Sequence, residues 1–247
     1  GSFTEDQLYQ AIVSELSAQR GQVMDAGNSY FELAMSTRDI TVIQRAIQFA
    51  SVNGDINALL QLGLVWAELQ PQNPQPELLL SIQFLDSGAF EQALSHMVRV
   101  LELGGNIDFA ALSSRTGRLN TQDRSVLIEA LRRLSVEFSD RSTIHLTLVQ
   151  LLAQNASFAE ALSELDTLKG KTALTANMVM LEAQILQNME QADRALRVMR
   201  RGAERFNTNK DLRLGYARML IQNEEYDLAQ AQFETIMEQD PQDWETL

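Results

Sequence analysis

The chain has 247 residues, 45% of them apolar, a formal net charge of −13 and no cysteine. That length can bury a sizeable core, and no run of about 18 apolar residues offers a membrane span. The absence of cysteine excludes disulfides, thiol catalysis and cysteine-ligated zinc, and the acidic balance opposes wrapping a nucleic-acid backbone, whose binding exchanges condensed cations for Lys and Arg.

In chain order, Gly1-Ser2 reads as the remnant of an expression tag. From about Gln7, LYQAIVSELSAQ and VMDAGNSYFELAMS are two apolar-periodic segments around Arg20-Gly21, and Gly21 can take the left-handed conformation that ends a helix. Thr37-Arg38-Asp39 opens a second pair, with its turn at Asn53-Gly54-Asp55 and Trp66 near its end. Residues 71–76 hold three of the four prolines. Proline lacks an amide donor and restricts the residue before it, which predicts a stiff connector there. The reading is a kink in one continuous solenoid, with repeats in 3–70 and 77–247. In the next pair Gly88 marks the turn. The fourth is irregular: DFAALSSRTGRLN is poor in apolar residues and contains Gly117, so a short or frayed helix is expected, followed by a polar turn TQDRS. The last three pairs turn at Gln154–Ser157, Asn188–Glu190 and Asn223–Glu225.

The last pair, residues 210–241, sets the pattern. Leu212, Tyr216, Ala217 and Leu220 share one helical face, and Tyr226, Ala229, Phe233, Ile236 and Met237 another, with Pro241 closing the unit. Stepping back from Ala229 gives Ala195, Ala161, Leu127, Ala93, Ala58 and Ala26, at intervals of 34, 34, 34, 34, 35 and 32 residues. Four residues after each stands a large side chain: Phe233, Met199, Leu165, Leu131, Met97, Leu62 and Tyr30. Small residues let two helices cross closely while the large ones fill the space toward the next hairpin, so Ala195, Ala229 and Phe233 are expected to be buried. This pattern resembles the tetratricopeptide repeat. It implies an all-α, right-handed superhelical solenoid of about seven hairpins, with an eighth beginning at Asp243-Trp244 as in a piece of a longer protein.

A second resemblance lies in LYQAIVSELSAQRGQ, SYFELAMSTRD and QRAIQFASVNGDINALLQLGLVWAELQPQNP, and continues through Ile107–Leu112 and Ile144–Leu152. These segments are similar to a family of proteobacterial outer-membrane lipoproteins with tetratricopeptide repeats. Gln44 stands where that family has Glu, and the lipid-bearing cysteine is missing. The resemblance implies a periplasmic protein, anchored to the outer membrane only by its lipid, that binds and activates a carboxyl-terminal processing protease and presents its substrates. The alternatives are a scaffold for peptidoglycan or outer-membrane assembly enzymes, and regulatory repeats of a larger enzyme.

No motif for catalysis, phosphate binding or metal ligation is present, so no enzyme activity and no cofactor are expected. The only histidines, His96 and His145, fall in different repeats and read as structural. The repeat family's groove positions imply a concave binding surface of Ile40, Ile43 and Ile47; Leu78, Ile82 and Leu85; Leu146, Gln150 and Gln154; Asn177, Met180, Gln184, Gln187 and Asn188; and Leu214, Arg218 and Gln222. Such a groove is apolar toward the N-terminus and amide-rich toward the C-terminus, suiting extended peptides. Arginines crowd residues 194–218 and acids follow, which reads as a solvated face or as a patch for an acidic partner.

Overall fold

The computed structural model describes residues 3–240, and among these every regular element is helical. The helices divide into two compact units, with the boundary between Arg115 and Thr116. The first contains α1 (Glu5–Gln19), α2 (Val23–Thr37), α3 (Ile40–Asn53), α4 (Ile56–Leu69), α5 (Pro74–Asp86), α6 (Phe90–Glu102) and the short α7 (Ala110–Arg115). The second opens with a 3-10 turn (Thr116–Arg118) and continues with α8 (Thr121–Glu137), α9 (Ser142–Gln154), α10 (Phe158–Lys171), α11 (Ala176–Asn188), α12 (Ala192–Arg205), α13 (Lys210–Gln222) and α14 (Tyr226–Gln239). Within each unit the helices pack as antiparallel hairpins, and α2, α4, α8, α10 and α12 also pack on the first helix of the next hairpin.

Local chemistry sets the helix ends. Thr4 and Gln7 form a reciprocal capping box on α1, while Asp39, Asn73, Thr175 and Asn209 cap α3, α5, α11 and α13 through their side-chain oxygens. A residue in the left-handed region reverses the chain between the two helices of a hairpin. In the first hairpin it is Gly21, and from the second hairpin on it recurs at Gly54, Gly88, Ala156, Glu190 and Glu224, on a 34-residue grid that misses Gln122. The first unit fills this position with glycine, which has no Cβ to clash; the second fills it with residues that are strained there.

The crossing positions behave as the spacing predicts. Ala26, Ala93, Ala161 and Ala195 are fully buried, as are Met97, Leu131 and Leu165 four residues on from their own crossings. Gly202 approaches its neighbour so closely that a Cβ there would stand 2.4 Å from Val179 Cγ1. Phe233 departs from the expectation and is only half-buried, because no described element covers the outer face of α14. Pro241 and the opening of an eighth hairpin lie outside the described residues.

Two sequence-based boundaries need correction. Residues 71–76 are not all connector: Asn73 caps α5, Pro74 is its first residue and Pro76 is buried within its first turn. Proline has no amide hydrogen to lose at these positions and its fixed φ is already helical. The proline segment therefore inserts no residue, since Asp39 to Asn73 and Gly54 to Gly88 each span 34 residues. The 35-residue step arises in α4, where Ala58 comes third in its helix, whereas Ala93 comes fourth in α6. TQDRS is likewise no turn; it begins α8, capped by Asn120.

Repeat four is short in its first helix, as expected, and something else replaces its periodic turn. Arg124 of α8 is buried, and its guanidinium donates to the carbonyl oxygens of Leu119 (2.6 Å), Gly117 (3.3 Å) and Thr116 (3.4 Å) and to that of Gln154 (3.0 Å) at the end of α9. Carbonyls at helix ends lack intrahelical donors and carry partial negative charge, so one cation satisfies several of them together.

Two outcomes are expected in chemical denaturation. Glu190→Gly stabilises the second unit by about 0.5–1 kcal/mol by relieving the left-handed strain. Arg124→Met destabilises it by about 2–4 kcal/mol by orphaning buried carbonyls; an unchanged midpoint would refute the bridging role.

Candidate protein-binding grooves

The first helices α9, α11 and α13 touch in sequence and form one row of the second unit. Counting each from its cap, the thirteenth position is Gln154, Asn188 and Gln222, all exposed, and the ninth is Gln150, Gln184 and Arg218. Asn177 is also exposed, and Gln187 Nε2 donates to Gln222 Oε1 at 2.5 Å, so the amides link one hairpin to the next. Gln154 accepts from Thr116 Oγ1 at 3.0 Å. Leu146, Met180 and Leu214 are half-buried, so their sides wall the row while their inner faces pack.

In the first unit the structure corrects the sequence-based assignment. Ile43 is fully buried at 0% exposure and Leu85 at 5%; both belong to the core, while Ile40 and Ile47 are half-buried. Counting back from Ala58 misplaced α3 by one residue, and one residue turns a helix by about 100°. Counted from its cap, α3 exposes Thr41, Gln44 and Gln48 instead, so amides reach this unit as well. Leu78 is half-buried and Ile82 exposed on α5.

Between α1 and α3 lies a cleft of about 450 Å³ with mainly apolar walls, among them Leu8, Ala11 and Val42. Its polar residues form a linked set. Arg45 donates to Glu15 through both Nε and Nη2, at 2.7 and 2.8 Å, and to Gln48 Oε1; Tyr30 donates its hydroxyl to Glu15 at 2.9 Å. The guanidinium also sits 4.5 Å over the Phe49 ring, which stacks on Tyr30. A cleft of this make-up can hold an apolar side chain beside a polar backbone group. Nothing in the sequence pointed to it, because Glu15 and Arg45 are 30 residues apart and neither occupies a repeat-defining position.

Each histidine closes its own hairpin. His145 is buried with Nδ1 2.8 Å from Glu164, and His96 lies 2.6 Å from Glu77 and stacks on Phe84. The pairs use the same two repeat positions with the residues exchanged. Among the described residues no cluster of His, Asp and Glu could hold a metal ion, and no helix is long and apolar enough to cross a membrane.

Hydrogen bonding from Arg45, set against burial, holds the Glu15 carboxyl below its ordinary range. Burial and the bond to Glu15 push the Tyr30 phenol up to about 12. A depressed carboxyl stabilises the fold above its unfolded value and loses that contribution as pH falls through its folded value. The raised phenol contributes fully below about pH 10 and loses this as pH rises toward 12. Arg45→Met is therefore expected to lower stability at neutral pH by about 1–2 kcal/mol, this half-exposed pair being partly screened. The gap from the parent should narrow as pH falls below about 4; melting curves across pH check this, and a gap constant with pH would contradict it.

A tetratricopeptide-repeat family model matches residues 188–247. The TPR repeat-containing protein PA4667 of Pseudomonas aeruginosa is 30% identical over 217 residues, which is 88% of this chain but 37% of that protein's length. Among solved structures, a thermophilic tetratricopeptide-repeat protein of Thermus thermophilus aligns at 15% identity and a TM-score of 0.45, covering 82% of this chain and 92% of that one. MamA of Desulfovibrio magneticus aligns at 17% identity and 0.43, covering 82% and 96%. The family-model match, the similarity to the curated relative and the 34-residue return of small crossing residues together support tetratricopeptide repeats in this chain.

Proposed function

We propose that this chain is the groove-bearing part of an envelope adaptor, an outer-membrane lipoprotein that holds a periplasmic carboxyl-terminal processing protease and presents extended substrates to it. Tetratricopeptide repeats imply a protein-interaction scaffold, and proteins that carry them are in general non-catalytic. The observation that carries the finer reading is the amide row of α9, α11 and α13. An extended peptide offers alternating carbonyls and amides whatever its sequence, and a primary amide both donates and accepts, so such a row suits substrates that share only an unfolded backbone. The half-buried Met180 can adapt to varied side chains beside it. The protease, the lipid anchor and the compartment come from the resemblance to the lipoprotein family that runs through residues 8–74 and continues at 107–112 and 144–152. Because the chain spans 37% of its curated relative, the role of the whole protein is part of the proposal.

The test is degradation of unfolded casein by the envelope carboxyl-terminal processing protease, alone, with this chain and with the longer parent. Stimulation by the parent is expected. Gln184→Ala together with Asn188→Ala should raise the apparent KM for casein roughly 3–10-fold with kcat nearly unchanged. If neither protein binds or stimulates the protease, the adaptor reading falls.

A further inference from the structure

The outer side of the second unit carries a charge pattern that the groove does not use. Five arginines, Arg194, Arg197, Arg200, Arg201 and Arg205, lie on the 14 residues of α12, a quarter of the 20 cations in a chain of net charge −13. All five are exposed, and none pairs with a carboxylate of the described residues. Arg194 donates to the Gln191 side chain and Arg205 lies 5.8 Å over Phe206. At 100° per residue, Arg194, Arg197, Arg201 and Arg205 fall within an arc of about 80° and along about 16 Å of helix.

Register makes the stripe specific to this hairpin. At the same five positions α10 has Glu160 and Asp166 with one cation, Lys171, and α14 has Glu234 with none. Within α12 the arginines stand three and four residues apart, where like charges repel, and Arg194 sits in the first turn, where the helix dipole disfavours a cation. Asp193, four residues before Arg197, Glu204, four after Arg200, and the last-turn place of Arg205 offset part of that cost, but no buried position of α12 calls for five cations on its exposed side.

We propose that the exposed ridge of α12 is a docking site for an acidic protein segment. Guanidinium groups pair with carboxylates through two parallel hydrogen bonds, and their spacing along the ridge matches carboxylates one helical turn apart. Width selects the partner. A helix or strand is narrow enough to lie on α12 alone, whereas a broad anionic surface finds no matching array on the neighbouring second helices, whose equivalent positions hold Glu160, Asp166 and Glu234 with Lys171 as the one cation. The site is independent of the groove and of any partner bound there.

The probe is a fluorescein-labelled helical peptide of about 14 residues with Glu at every third and fourth position, titrated into the 247-residue chain by anisotropy at about 50 mM salt. Saturable binding is expected, weakening as salt rises. Arg197→Glu with Arg201→Glu should lower affinity at least about tenfold, while Arg20→Glu with Arg118→Glu, an equal charge change elsewhere, should lower it less than about twofold. Circular dichroism confirms folding, and Arg197→Gln with Arg201→Gln replaces the reversal should that variant unfold. Equal losses from both pairs, equal binding of the glutamine version of the peptide, or binding of phosphatidylglycerol vesicles without binding of the peptide would each overturn the proposal.

Discussion

Two helices of thirteen or fourteen residues cannot bury their apolar stripes against each other alone, so each hairpin depends on the close crossing that lets a third helix seat beside them. The buried alanine of the second helix makes that crossing possible. At Ala93, Ala161 and Ala195 the side chain is fully enclosed, and four residues later Met97, Leu165 and Met199 fill the space between the hairpin and its neighbour. Stability accumulates between neighbours rather than in one central core. The left-handed residues at Gly54, Gly88, Ala156, Glu190 and Glu224 keep the period, because each restarts the second helix at the phase the crossing needs.

Repeat four shows what happens when that grid loses a member. Gln122 occupies the grid position but lies inside α8, so no left-handed turn forms there. The 3-10 turn and the residue after it present carbonyls that a regular hairpin would satisfy through its own turn, and the Arg124 guanidinium meets those of Thr116, Gly117 and Leu119 instead. A side chain can bridge carbonyls from two chain ends because its donors are spread over a rigid fork, which a single backbone amide cannot do. The solution depends on one residue, where the regular turn uses several weak preferences.

The period was legible in the sequence because it rests on side-chain size, and burial of small and large residues at fixed intervals leaves its mark on composition. Several details were not legible, each for a physical reason. Proline is a poor helix residue except in the first turn, so 71–76 looked like a connector although Pro74 and Pro76 belong to α5. Ile43 looked like a groove residue because Ala58 crosses one place early in α4, and a shift of one position carries a helical residue from surface to core. Phe233 looked buried because its repeat position is a packing position, yet packing needs a neighbour that the described residues do not supply. The Glu15, Arg45 and Tyr30 set had no sequence signal at all, since three polar residues on three helices become a unit only once the hairpins stack.

The packing positions use only part of each helix, and this is why the fold and the function separate so cleanly along the chain. In α11 the buried set is Met178, Val179, Ala183, Ile185 and Leu186, which leaves Asn177, Gln184 and Asn188 under no packing constraint. In α12 the buried set is Ala195, Met199, Gly202 and Ala203, which leaves the positions of all five arginines free of packing. Where packing does not decide a residue, solvent alone would scatter polar types along a helix. An amide row that stays in register through three hairpins, and a basic stripe confined to one of them, are both more ordered than solvation requires. The two orders also differ in kind: the row repeats with the solenoid and suits a partner that runs along it, whereas the stripe breaks the repeat and suits a partner that meets the surface at one place.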